Sequence, residues 1–510
     1  MRTFTFVFLI GILITISSCR TDFDTVASTG DLEFSKDTVY LDTVFSTLSS
    51  STYALKVYNR SKNDITIPNI KLGKDLNSKY RMTVDGMQGN QGKLFENVTL
   101  LAKDSLYIFI ETTADVADAS PTDFLYTDQI LFDSGDNLQK VELVTLIQDA
   151  IFLYPKKFTD GTTETLPVGG DEIYGFYLDE DDPIHGNELK FTNKKPYVIY
   201  GYAAVPIGKT VTFEAGSRVH FHEDSGLIIT DQASINVNGS VSTTKALENE
   251  VVFEGDRLEP EFSDVAGQWG TIWLTDGSTN NKINNLTIKN AGIGLLIQNN
   301  DGTTVQLKNS QIYNSSIYGI LAQTANIEGE NMVINNAGEA SLVCAYGGNY
   351  KFTHCTFNNN WNSTTQVAVY VSNYSKGSTP EIKDLSRALF NNCIIYGSYS
   401  NELNLEKKTG AAFEYQFNNC LIKFNNTSNV YINDPEYQFN TDPNHYKNII
   451  LNKDPKFFNI GLNKFNIDQS SAAFEKGNSS YIIPLDILGT NRTTPPDLGA
   501  YQNKPFPKNN

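Results

Sequence analysis

A five-residue phrase recurs six times between residues 286 and 424, and it constrains the fold more than any other feature of the chain. It reads Leu286-Thr-Ile288-Lys-Asn290, Ser310-Gln-Ile312-Tyr-Asn314, Met332-Val-Ile334-Asn-Asn336, Cys355-Thr-Phe357-Asn-Asn359, Cys393-Ile-Ile395-Tyr-Gly397 and Cys420-Leu-Ile422-Lys-Phe424. Subtracting the final positions gives steps of 24, 22, 23, 38 and 27. A period of this size signals stacked supersecondary units, each unable to bury its apolar face alone. Asn and Gly tolerate the left-handed backbone region that most residues avoid. The phrase therefore predicts left-handed corners at Asn290, Asn314, Asn336, Asn359 and Gly397, each just after a strand, with Asn side chains hydrogen-bonded along the row. Ile288, Ile312, Ile334, Phe357, Ile395 and Ile422 are expected to stack inside.

A second strand follows each corner, as in Ile293-Gly-Leu295-Leu-Ile297, Ile317-Tyr-Gly319-Ile-Leu321, Leu342-Val-Cys344 and Val367-Ala-Val369-Tyr-Val371. β-Branched residues, Asn and Gly dominate and no helical period occurs, which argues against a leucine-rich repeat. The step of 38 reads as one unit carrying an insertion, residues 373–386, a polar stretch with Gly377 and Pro380. Upstream, Thr210-Val-Thr-Phe213, Ser225-Gly-Leu227-Ile-Ile229, Val251-Val-Phe253 and Gln268-Trp269-Gly-Thr-Ile272-Trp273 continue the pattern. Asp454-Pro-Lys-Phe457, Asp486-Ile-Leu-Gly489 and Asp497-Leu-Gly499-Ala-Tyr501 close it.

These phrases resemble the right-handed parallel β-helix family, the architecture of pectate lyases and many bacterial surface proteins. The resemblance covers residues 196–501 and implies fold far more than activity. Enzymes of the family are usually glycan-active. The chain shows neither the paired aspartates with a following Gly-His-Gly of polygalacturonases nor the aspartate ladder with a nearby arginine of pectate lyases.

Met1-Arg2 precede an apolar run over residues 4–16 and then Ser17-Ser18-Cys19. The run is short for a membrane span and has the proportions of a signal peptide. Ile16-Ser17-Ser18-Cys19 resembles the bacterial lipoprotein cleavage box, which implies removal of residues 1–18 and a lipid on Cys19. Arg20 in the next position resembles sorting to the outer membrane, facing either the periplasm or the cell surface. The net charge of −18 over 510 residues argues against nucleic acid and disfavours acidic polysaccharide unless a metal intervenes. Of five cysteines, four remain after lipidation, too few for a disulfide scaffold.

The expected organisation is all-β. Residues 19–30 form a tether. Residues 31–150 alternate with period two in runs such as Leu106-Tyr-Ile108-Phe-Ile110 and fit an immunoglobulin-like β-sandwich, resembling the Hydin-type modules of bacterial surface proteins. Residues 151–195 connect, residues 196–445 form the β-helix, and residues 446–510 close it.

Several residues are candidates for chemistry. His220 and His222 alternate on one strand and are expected to face outward, with Glu254 beside His222 if Phe253 lies one unit on. Two imidazoles and a carboxylate form an acid–base or metal set, and a decorated outer face is the alternative. Trp269 and Trp273 share a face by spacing. With Tyr197, Tyr200 and Tyr202 they offer a stacking platform for neutral, hydroxyl-rich glycan, unless the loop over residues 255–267 folds across them. Asp179, Asp181 and Asp182 offer oxygen ligands for calcium, without the spacing of a dedicated loop. Cys355, Cys393 and Cys420 occupy one position of the phrase and are expected as a buried, reduced ladder, with Cys344 inward beside Leu321. The reading that follows is a membrane-anchored envelope lipoprotein, a non-catalytic rod contacting glycan or an envelope protein and needing no cofactor, calcium aside. The alternatives are a polysaccharide lyase or glycoside hydrolase with an unfamiliar site, and a structural spacer.

Overall fold

The structure, a computed structural model, describes residues 24–506 apart from 121, 301, 378, 427 and 428. Cys19 and the leader lie outside the described residues. Among the described residues no helix is long and apolar enough to cross a membrane. The chain divides into two compact units, Met1–Asp149 and Ala150–Asn510.

In the first unit a six-stranded and a four-stranded sheet share one core. Pairing is antiparallel except at two edge strands, Val26–Ala27 and Thr38–Phe45. Alternation explains the sandwich: along Ser105–Thr112, Leu106, Ile108 and Ile110 are buried while Tyr107 and Phe109 are exposed. The fully buried Tyr80 keeps its hydroxyl satisfied by donating to the Tyr126 carbonyl at 2.8 Å.

The second unit is built on two long sheets in which strands pair in parallel with strands one repeat further on. The eleven-stranded sheet runs Ile151–Leu153, Tyr197–Ile199, Arg218–Phe221, Val251–Gly255, Leu286–Lys289, Gln311–Ser315 and onward to Ile450–Leu451. Its register places Val219, Phe253, Ile288, Ile312, Ile334, Phe357, Ile395 and Ile422 in one continuous ladder. Every one of these side chains is buried. The larger sheet supplies the opposing wall, with ladders such as Leu295, Ile320, Leu342, Val369 and Leu403. Each buried Ile or Leu contributes roughly 1.5–3 kcal/mol of transfer free energy, which explains why β-branched residues dominate strands buried on this face.

Residues 151–195, expected as a connector, instead form the first rung. Asp171–Tyr177 pairs with Tyr202–Val205, and Lys190–Phe191 with Thr210–Glu214. At the far end, residues 454–503 carry little regular structure and pack on the outer face of the smaller sheet. Phe465, Ile487 and Tyr501 cover Tyr313 and Val333, and Ile467, Ala473 and Leu498 cover Ile394 and Leu421.

The corners depart from expectation in an informative way. Asn290, Asn314 and Asn336 are left-handed, at φ of 63°, 57° and 61°. The Nδ2 of Asn336 donates to Asn314 Oδ1 at 2.8 Å, and that of Asn314 to Asn290 Oδ1 at 3.3 Å. Asn359 and Gly397 are not left-handed. Their repeats leave the strand through longer loops, so no tight corner is needed there. Asn359 is held extended, accepting from Ala337 N and donating to Ala337 O and Val367 O. Gly397 is small for want of space, since a Cβ would lie 2.2 Å from Glu402 Oε1. A second and longer left-handed row stands immediately ahead of the phrase: Asn285, Asn309, Asn331, His354, Asn392, Asn419 and Asn448, at φ of 50° to 54°.

Cys344, Cys355, Cys393 and Cys420 are buried and free of disulfides. Cys344 lies opposite Ala322 rather than Leu321. Leu321 is on the outer face, and a one-residue offset in a strand reverses the face.

Candidate functional site

The same offset that sends Leu321 outward creates a row of its own. On the outer face of the larger sheet, Ala204, Ile228, Trp273, Leu296, Leu321, Val343, Tyr370 and Asn404 stand one above another. Two positions along, Gln298, Gln323 and Ala345 make a parallel row. An apolar stripe of this length on an outer face requires a cover or a ligand. At its beginning it has a cover: the hairpin Thr165–Val168 and Asp171–Tyr177 sets Leu166 against Ala204 and Ile228, with Tyr202 and Trp273 at the margin.

Further along, the stripe floors a cavity of about 490 Å³. Leu321, Val343 and Val367 form its base, and Tyr318, Tyr346 and Tyr374 stand on its walls. The insertion over residues 373–386 builds one wall, contributing Tyr374, Ser375 and Lys376, and an antiparallel bridge between Tyr374 and Ile382 closes it. Each wall tyrosine is fixed by a carboxylate. Tyr318 donates to Glu339, Tyr346 to Glu381, and both Tyr370, at 2.7 Å, and Tyr374 donate to Glu406. Lys376, Lys383 and Lys408 lie 4.7, 4.4 and 4.4 Å from the ring centres of Tyr370, Tyr346 and Tyr374. Burial acts to raise the Glu406 carboxyl, but the Tyr374 and Tyr370 hydroxyls outweigh it and hold the group below the usual carboxylate range. Burial, with the Glu406 hydrogen bond, pushes the Tyr370 phenol well up, so it remains a donor.

Three carboxylates, Glu339, Glu381 and Glu406, thus hold the tyrosines of the site. By register Glu339 and Glu406 are two rungs and six residues apart, a Cα separation on the order of 20 Å.

The residues singled out in the sequence are distributed differently. Trp269 and Trp273 do not share a face. A register shift between Thr271 and Ile272 reverses the alternation, so Trp269 enters the core and stacks on Phe221 at 4.4 Å while Trp273 joins the outer stripe. Tyr197 is also inside, against Phe191. Tyr202 lies beneath the hairpin's apolar cluster. Tyr200 is half-buried and stacks on His222 at 4.4 Å. The proposed platform of five aromatics is therefore dispersed.

His220 and His222 both point away from the core, yet only His222 is exposed. Glu254 aligns with His220, at 4.0 Å, and not with His222. Asp256, which sequence spacing did not bring forward, takes the place beside His222, with Oδ2 2.7 Å from Nδ1. Burial acts to raise Glu254, but Lys289, at 3.2 Å, and His220 hold it low. Burial depresses the imidazole of His220. Asp179, Asp181 and Asp182 do not converge. The Asp179 side chain accepts from Asp181 N, and that of Asp182 accepts from Ile184 N and His185 N.

The chain matches no protein-family model and no curated protein sequence. Among solved structures it is similar to a PapD-like domain of human CEP192, at 13% identity and TM-score 0.15, over 26% of this chain and 96% of that one. It is similar to the Escherichia coli chaperone DraB, at 16% identity and TM-score 0.16, over 29% of this chain and 80% of that one. It is also similar to the catalytic domain of a GH87 α-1,3-glucanase in complex with nigerose, at 9% identity and TM-score 0.21, over 73% and 82%. The class that its own strand pairing defines is a large all-β protein with long parallel sheets.

Proposed function

We propose that this chain is a lipid-anchored envelope protein whose stacked sheets form a right-handed parallel β-helix and bind glycan without cleaving it. In this reading residues 31–150 are an immunoglobulin-like module. The observation that carries the binding reading is the tyrosine-walled cavity at the longest step of the inner ladder, from Phe357 to Ile395. Repeat proteins commonly place insertions on their binding face. The site offers flat rings, an apolar floor and fixed hydroxyl and carboxylate groups, the combination that a sugar's apolar face and hydroxyl edge require. Neutral glycan suits it best, since each lysine at the rim is matched by a carboxylate on the wall. The test is a screen of the purified chain against neutral and acidic polysaccharides, repeated with Tyr374→Ala. Binding that the substitution removes, with no release of reducing ends or unsaturated product, supports the reading. Binding to nothing on the screen favours a structural spacer.

One observation favours a hydrolytic alternative. Glu254 and Asp256 lie two residues apart on one strand face, about 7 Å between Cα atoms, beside His220 and His222. Paired carboxyl groups of glycoside hydrolases stand about 5–10 Å apart, a spacing that side chains on neighbouring positions of one face can reach. Appearance of reducing ends, abolished by Asp256→Asn, would replace the binding reading with this one. The anchor is tested apart from both: Cys19→Ala should move the protein from the membrane to the soluble fraction, and a mature N-terminus other than lipidated Cys19 would sink that part.

A further inference from the structure

Before the first full rung closes, the chain makes a tight turn that gathers three metal-ligating side chains from seven residues, Asp182-Pro-Ile-His185-Gly-Asn-Glu188. Donor atoms of Asp182, His185 and Glu188 all lie within 4.8 Å of one another, and no other set of three or more is found among the described residues. His185 Nδ1 is 3.0 Å from Glu188 Oε1 and 3.4 Å from Asp182 Oδ1. We propose that this triad is a binding site for a divalent transition-metal ion of the zinc type.

Four arguments support it. The first is geometric. Donors on one tetrahedral ion at roughly 2.0–2.1 Å stand about 3.3 Å apart, which matches both distances to the imidazole. The second is electrostatic. The Asp182 and Glu188 side chains are only 9% and 7% exposed, and both face one ring nitrogen. A single Nδ1–H serves one carboxylate, and Asp182 Oδ1 draws its donors from Ile184 N and His185 N. The three groups carry a formal charge of −2 with the ring neutral and −1 with it protonated. Lys190, on the wall of the adjoining cavity, is paired with Glu214 at 3.0 Å. Backbone N–H groups, His185 and Lys156 already favour the Asp182 carboxylate, and a divalent ion would add a further counter-charge to the pair.

The third argument is preorganisation. Asp182 and Gly186 are cross-bridged through both backbone pairs, at 3.0 and 2.8 Å. The remaining Glu188 oxygen, Oε2, accepts from Asp179 N at 2.9 Å, and Asp182 Oδ1 accepts from Ile184 N and His185 N at 2.9 Å each. Glu188 is thus aimed before any ion arrives through the oxygen that does not face His185, as outer hydrogen bonds do at metal sites, and Asp182 is fixed through Oδ1 itself. The fourth is access. His185 and Glu188 line a cavity of about 240 Å³ that also holds Asn187 and Tyr197, leaving a fourth coordination position open to water or a ligand. The imidazole donor sets the class. Calcium and magnesium take oxygen ligands, whereas one nitrogen and two carboxylates suit zinc, cobalt or manganese.

The experiment uses the full untagged chain after EDTA treatment, titrated with Zn²⁺ in a calorimeter and with Co²⁺ in a visible spectrometer. The expected result is one ion per chain and a cobalt band characteristic of four-coordination. His185→Ala should abolish the stoichiometric binding, and Glu188→Gln should weaken it tenfold or more. His445→Ala, which removes the Asp442 pair at another place, should leave it unchanged. Thermal unfolding gives a second readout: Zn²⁺ should raise the Tm of the native chain and of His445→Ala but not of His185→Ala. A native chain that takes up no Zn²⁺ at millimolar concentration would overturn the proposal, leaving a histidine hydrogen-bonded between two carboxylates. Unchanged stoichiometry in His185→Ala would overturn it equally. If His185→Ala does not fold, Glu188→Gln decides, since native-like affinity in that folded variant also refutes the site.

Discussion

The outer stripe of the larger sheet has two ends that begin alike and finish differently. At one end Leu166 closes over Ala204 and Ile228, and the stripe becomes a small private core. At the other end Leu321 packs against a second local cluster of buried Ala340, Val343 and Tyr370, and tyrosines tied to carboxylates line an open cavity beside it. The strands beneath are the same in kind, with Leu, Ile, Val and Cys stacked in parallel ladders. The lesson is that the repeat supplies a neutral scaffold. Departures from the repeat, a hairpin before it and an insertion within it, decide whether a stretch of its surface is sealed or left available.

Substitutions can test that contrast, beginning with the scaffold common to both ends. Ile312→Asp should cost several kcal/mol, because it leaves an unpaired charge in the inner ladder between Ile288 and Ile334. Urea unfolding is the measurement, and a shift under about 1 kcal/mol would mean that the register is wrong. At the sealed end, Leu166→Ala should destabilise by roughly 2–5 kcal/mol if the hairpin is a true cover, since Leu166 is 1% exposed. Proteolysis should then nick the hairpin first. At the open end the order of effects should invert. Tyr374→Ala, at a half-buried wall ring, is expected to lower glycan affinity by about tenfold or more, the worth of one lost ring contact and hydrogen bond, while moving stability less than Leu166→Ala does. Equal stability losses at both ends would erase the distinction between them.

A pH experiment sharpens the open end. Glu402, fully buried, is pushed up to about 7 by burial, against hydrogen bonds from Tyr399 N and Gln366 Nε2. Its folded value is above the usual carboxylate value, so the folded chain binds more protons between the two. Its contribution to stability is therefore full in acid and falls as pH rises from the ordinary carboxylate range through about 7. Glu402→Gln should flatten that decline, and an unchanged stability-versus-pH curve would refute the assignment. The smallest effect concerns the thiols. Cys344, Cys393 and Cys420 are buried, and burial pushes each well up. Native protein should resist thiol labelling and unfolded protein should show every one of them reactive.

The inner ladder and the candidate site differ in how far they were legible. The period of the phrase located the inward ladder of the smaller sheet from Ile288 to Ile422, because a side-chain period of two and a fixed repeat leave one face to bury; it did not reach core residues of the larger sheet such as Ile327, Phe352, Phe390 and Phe417. The left-handed Asn row was found at three positions and missed where the connection lengthened. It was also missed at the longer row beginning with Asn285, which lies one residue outside the phrase. The aromatic platform failed for a local reason. One irregularity between Thr271 and Ile272 turned Trp269 inward, and a bulge has no reliable mark in a single sequence. The groove tyrosines were invisible as a set. Tyr318, Tyr346, Tyr370 and Tyr374 lie on different repeats, and only stacking brings them together. Their one sequence signal was the insertion over residues 373–386, which was read as length and not as a wall. The triad of Asp182, His185 and Glu188 was half-seen as an acidic run whose histidine went unweighed.

By itself the sequence determined the all-β class, the parallel repeat and the identity of the inward ladder, because alternation and periodicity are local properties that burial obeys repeat after repeat. It also carried the stretch resembling a lipoprotein leader, a signal written in contiguous residues. The tertiary structure decided which outer residues meet across rungs, which end of the stripe is covered, and that His222 pairs with Asp256 while Glu254 turns to His220 and Lys289. Those outcomes depend on register between strands 22 to 38 residues apart, where a shift of one residue exchanges inside for outside, and no local pattern fixes a register that is set by the packing of the whole stack.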